Sequence, residues 1–103
     1  MTDRELLELA AKAIGLEEAK MRIEFNQWNP LQDDGDALRL AVKLELNLRI
    51  NKFPHVVYVE IYNGRAPSVM EPLSDVRQPT PDPQVATRRA ITRAAAEIGK
   101  GMK

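Results

Sequence analysis

Asp33-Asp34-Gly35-Asp36 places three carboxylates around a glycine within four residues, the densest set of metal-type ligands in the chain. An EF-hand loop needs oxygen ligands at alternate positions before its glycine and a glutamate six residues after it. Pro30, Gln32 and Asp34 stand at the first positions and Ala41 replaces the glutamate, so the calcium pattern fails. The same trio suits a helix start. Asp33 or Asp34 can accept from unpaired backbone N–H groups, and all three carboxylates lie against the positive end of the helix. Helix capping is therefore the reading, with no metal and no cofactor expected.

A second group is basic. Arg88, Arg89, Arg93, Lys100 and Lys103 crowd the C-terminal segment. A basic final helix is how double-stranded RNA-binding domains meet phosphates and 2′-hydroxyls. Against that reading, an extra helix at about 34–45 interrupts the strands, and the last helix lacks a lysine-rich start. Lys+Arg and Asp+Glu also cancel at 15 each, so no global field draws the chain to nucleic acid or anionic lipid. A solvated face is the first reading. Arg88, Arg89, Arg93 and Lys100 are kept as the nucleic-acid-binding candidates of a second.

The remaining candidates stand alone. His55 is the only histidine and has no sequence neighbour to act with. With no cysteine, a disulfide, a thiolate nucleophile and a Cys-based metal site are all excluded. There is no glycine-rich phosphate loop and no Gly-x-Ser-x-Gly. No catalytic residue is named, and an enzyme ranks third. Trp28 sits beside a turn and reads first as a core-rim residue, then as an interface anchor, a frequent role of tryptophan.

Positioning these residues requires a small set of elements. Thr2-Asp3-Arg4-Glu5 has capping-box spacing, and Leu6, Leu9, Ala10 and Ala13 recur at helical period from about 3 to 14. Gly15 and Leu16 fit a Schellman ending. Met21, Ile23 and Phe25 alternate with polar residues, which predicts a strand at about 20–26. Asn29-Pro30 marks a turn. The next helix, at about 34–45, is so apolar (Ala37, Leu38, Leu40, Ala41, Val42, Leu44) that it is expected at the centre of the fold, with only Arg39 and Lys43 wet. Leu46, Leu48 and Ile50 then alternate, as do Val57, Val59 and Ile61, giving strands at 46–51 and 55–62 that pair as a hairpin. Residues 63–81 are rich in proline and read as a long loop. Asp82-Pro83 starts a last helix whose inner face is Thr87, Ala90, Ile91, Ala94, Ala95 and Ile98, ending at Gly99 or Gly101.

The expected fold is α+β in a single domain, 1–103. It has a small three-stranded, mainly antiparallel sheet with helices on one face, in the order α-β-α-β-β-α. The face of Val56, Tyr58 and Tyr62 is unusually apolar and needs a cover. The expected cover is the segment containing Val69, Met70, Leu73 and Val76, with another protein or a second copy of this chain as the other choice. Trp28, Val56, Tyr58, Tyr62, Met70 and Leu73 are thus the partner-binding candidates.

Trp28-Asn29-Pro30-Leu31, Asp33 through Leu44, and Ala86-Thr87-Arg88-Arg89-Ala90-Ile91 continuing to Gly99 together resemble the NinX-like family of small tailed-phage and prophage proteins. Glu5 through Leu16 also fits. The chain departs at Glu45, where a glycine would close the helix, and residues 63–81 have no counterpart. The resemblance implies a phage accessory protein in the bacterial host cytoplasm and supplies no catalytic residues. Function is expected to be non-enzymatic binding to a host or phage protein, with nucleic acid second. No apolar run approaches the ~20 residues of a membrane span, so no membrane is expected. Residues 1–15 do not read as a signal peptide.

Overall fold

A computed structural model describes residues 2–51, 56–61, 69–72 and 83–102. Helices α1 (Asp3–Ala13), α2 (Ala19–Glu24) and α3 (Asp34–Lys43) come first. Strands β1 (Asn47–Asn51), β2 (Val56–Glu60) and β3 (Val69–Pro72) follow, then helix α4 (Pro83–Lys100). The strands form an antiparallel sheet in the order β1-β2-β3. The fold is α+β.

Local chemistry sets the helix ends. The Thr2 Oγ1 accepts from the Glu5 N–H at 3.1 Å, opening α1 as its sequence requires. At the other end Gly15 has φ +63°, and the Gly15 and Leu16 N–H groups bond Lys12 O and Ala11 O. That is a Schellman motif. The same pair of bonds ends α2, with Asn26 at φ +54°, and ends α3, with Glu45 at φ +54°. Glu45 thus occupies the left-handed position that glycine normally fills.

The strand expected at 20–26 is a helix. Ala, Lys, Met, Arg and Glu are good helix formers, and Asn26 tolerates the left-handed cap that stops them. The alternation of Met21, Ile23 and Phe25 has a different outcome on a helix: Ile23 packs against the core, while Met21 and Phe25 are exposed. The order is therefore α-α-α-β-β-β-α, and the third strand comes from the expected loop. Val69–Pro72 pairs with β2 in the register Val59↔Val69 to Val56↔Pro72. Val69–Pro72 extends the sheet edge to edge because its backbone finds partners on β2, while Leu73 and Val76 of the expected cover lie outside the described residues.

The central helix is α4, not α3. Nine of the eighteen residues of α4 are buried: Ala86, Ala90, Ile91, Thr92, Ala94, Ala95, Ala96, Ile98 and Gly99. It packs against α1, α3, β2 and β3. Its alanines make this possible, since small side chains let neighbours close in from several sides. Gly99 does not end the helix. It lies inside it, where a Cβ would fall 1.9 Å from the Leu9 carbonyl oxygen of α1. Helix α3 buries one face, Ala37, Leu40, Ala41 and Leu44, and lies at the surface with Leu38 and Val42 exposed. The inner sheet face supplies Val57, Val59 and Val69 to the same core.

Candidate protein-binding site

The acidic trio is committed to holding the α3 start in place. Asp33 caps the helix, its carboxylate accepting from the Asp36 N–H at 2.7 Å. Asp36 accepts from the Asn29 N–H at 2.9 Å and pairs with Arg39 at 2.8 Å. Asn29 in turn accepts from the Leu31 N–H through its side chain, tightening the turn around buried Pro30. Asp34 pairs with Arg88 of α4 at 2.6 Å. Among the described residues no group of three His, Cys, Asp or Glu side chains is disposed to hold a metal ion.

The basic residues of α4 do not all share one surface, though Arg89 and Arg93 line the same concavity. Arg88 turns toward α3, where its Nε donates to Leu31 O at 3.0 Å and its Nη1 to Asp34. Arg89 reaches Asp3 at the start of α1, at 3.4 Å. Arg93 is half-buried and lines one concavity with Arg89, Leu6, Ala96 and Glu97, and Lys100 is exposed at the far end. Arg88 is held against Leu31 and Asp34, away from the concavity that Arg89 and Arg93 line.

Trp28 is buried at 8% exposure, in the cluster that holds Leu7, Leu40 and Ala94, so it is a core residue. Tyr58 is half-buried on the sheet face away from Val57 and Val59, opposite Arg49 on β1 and Met70 on β3. Val56 takes its place in β2 opposite Asn51 and Pro72. Tyr62, Leu73 and His55 lie outside the described residues, as do Val76, Asp82 and the connection at 52–55.

The structure instead brings together residues that the sequence assigned to the core. Leu38 and Val42 are 61% and 69% exposed on α3, and Ile50 is 55% exposed on β1. Beside them runs a groove of about 330 Å³ whose walls include Ala37 and Leu38 of α3, Leu48 and Ile50 of β1, and Thr87, Arg88 and Ile91 of α4. Among the described residues, the ionisable ones lining it are Asp34 and Arg88, and they are bonded to each other. The described walls of the groove offer mainly apolar contact. Its signal was present in the sequence. Ala37, Leu40, Ala41 and Leu44 already complete one buried face at helical spacing, and Leu38 and Val42 are a surplus four residues apart.

Comparison with family models, with curated proteins and with solved structures finds no match to this chain. No described helix is long and apolar enough to cross a membrane.

Proposed function

We propose that this protein is a non-enzymatic binding module whose contact surface is the exposed apolar face of α3 and β1. One observation carries the reading: exposed Leu38 and Ile50 line an apolar groove between α3, β1 and α4, and exposed Val42 stands one turn along α3 from Leu38. Single exposed apolar residues need no explanation, but a cluster of them at a groove suits an interaction site. The occupant is an apolar segment of another protein, inserted between Leu38, Leu48 and Ile91. The resemblance to phage and prophage proteins supports a phage or host complex in the bacterial cytoplasm as the setting. Nucleic-acid binding ranks second, because Arg88 of its proposed stripe is already paired with Asp34.

The test uses the purified chain as bait in extract from phage-infected bacteria, then the captured protein repurified as a defined pair. Val42→Asp and Leu38→Asp change exposed positions and should leave the melting temperature within a few degrees of wild type. Both should abolish capture and weaken the defined pair by more than about tenfold. Phe25→Asp, on the exposed side of α2, should bind as wild type. Unimpaired capture by both α3 variants would refute the reading.

A further inference from the structure

Residues 17–27 leave the core and return to it. Just before them, the Leu16 N–H bonds Ala11 O and the Leu16 side chain packs against the core. Just after them, Trp28 is buried and the Asn29 N–H is held by the Asp36 carboxylate. None of the residues in between is buried. Ala19 and Ile23 are partly covered where they meet the core, whereas Met21 and Phe25 are 52% and 66% exposed. Helix α2 has six residues, too few to hold without tertiary support. Its N-cap, Glu18, makes no side-chain cap bond. Glu18 at φ +55° and Asn26 at φ +54° flank it in the left-handed region, which is costly for glutamate. Among the described residues no ion pair reaches this segment. Its side-chain hydrogen bond, from Asn29 Nδ2 to Asn26 Oδ1, is 3.4 Å long.

We propose that residues 17–27 form a strap that opens as one unit while the rest of the domain stays folded, and that this strap is where a protease enters the native protein. The strap's backbone bonds are its own: Arg22 N–H to Glu18 O, Phe25 N–H to Met21 O, and Gln27 N–H to Arg22 O. Its anchors do not depend on it. Leu16 is bonded back to α1, Asn29 is bonded forward to α3, and Trp28 lies in the cluster of Leu7 and Leu40. Opening uncovers Ile23 and little else, so it costs far less than unfolding the chain. In an extended strap Met21, Ile23 and Phe25 fall on one side, an alternation that the closed helix splits between core and solvent. The Lys20 and Arg22 bonds then lie in open backbone, which is the form a protease cuts.

Hydrogen exchange on the full chain tests the opening. The amides of Arg22, Phe25, Asn26 and Gln27 are bonded within the strap. They should share one protection factor, at least about tenfold below those of buried amides in α1, α3 and α4. Equal protection in all these elements would show that the strap opens only with the whole chain. Protection graded from the ends of α2 to its centre would show fraying, and either result overturns the proposal. Ile23→Asp should hold the strap open. Its amides should lose protection while the buried amides of α4 and the emission maximum of Trp28 stay as in wild type. Loss of protection throughout this variant would overturn the independence of the strap. Trypsin, followed by mass spectrometry at the first cut, should cleave after Lys20 and Arg22 at least about tenfold faster than after Lys12, Arg39 or Lys43. Ile23→Asp should accelerate those two cuts and leave the other three unchanged. Cleavage after Lys20 and Arg22 no faster than after Lys43 would refute the strap as the point of entry.

Discussion

Replacing Gly99 with alanine adds one methyl group where α4 passes against the backbone of α1. The new Cβ would lie 1.9 Å from Leu9 O, 2.9 Å from Leu9 C and 3.4 Å from Ala13 N. A carbon–oxygen contact needs about 3.3 Å, so the two helices must separate locally by more than about 1 Å. The obstacle is backbone, and no side-chain rotation can relieve it. Separation also loosens Ala10, Ala11, Ala94 and Ala95, which are buried in the same core. Overpacking of this kind costs about 1–3 kcal/mol, and a rigid obstacle places it at the upper end. Against that, alanine gains up to about 1 kcal/mol of helix propensity over glycine. The net loss is about 2 kcal/mol, or about 10 °C in melting temperature for a domain of this size. Thermal and urea unfolding followed by circular dichroism measure it, with an unchanged urea slope showing that stability alone moved. Gly101→Ala is the control. Its nearest atoms would be 3.7 and 3.9 Å away, and its effect should stay within about 0.5 kcal/mol. Equal stability of the two variants would refute the close approach of α1 and α4.

Glu45→Gly should raise stability by about 1 kcal/mol, because glycine relieves the left-handed strain at φ +54°; an unchanged or lower melting temperature would contradict the Schellman ending of α3. Leu40→Ala, at a fully buried position, should cost about 2–5 kcal/mol, and a variant that melts like wild type would show that α3 is not anchored by that face. Calorimetry with calcium, magnesium and manganese should give no saturable isotherm, since Asp33, Asp34 and Asp36 are each engaged in caps or ion pairs; a one-site micromolar isotherm would overturn that account. Mobility shifts with duplex DNA, single-stranded DNA and double-stranded RNA should show no binding. Salt-sensitive, low-micromolar binding lost in Arg89→Ala/Arg93→Ala would promote the nucleic-acid reading.

The sequence alone determined whatever is decided within one element. Thr2 and Asp33 cap their helices because each cap needs only a side-chain oxygen and an N–H three residues on. Gly15 and Leu16 end α1, and the period-two runs around Leu48 and Val57 form β1 and β2, for equally local reasons. The end of α3 near Leu44 and Glu45 was legible too, but not that Glu45 would take the left-handed conformation there. Tertiary structure decided the rest. Met21, Ile23 and Phe25 alternate as a strand would, yet the segment is helical, with Ile23 turned to the core and Met21 and Phe25 left exposed. Val69–Pro72 is too short to declare itself a strand and becomes one because the edge of β2 is free to pair with it. The sequence also misjudged which helix is central. An apolar side chain is buried only if another element lies over it. The alanines of α4 let α1, α3 and the sheet close around that helix. Leu38 and Val42 of α3 stay exposed: helical spacing marks them as a surplus beyond one buried face, but only the packing of the other elements decides which face is covered.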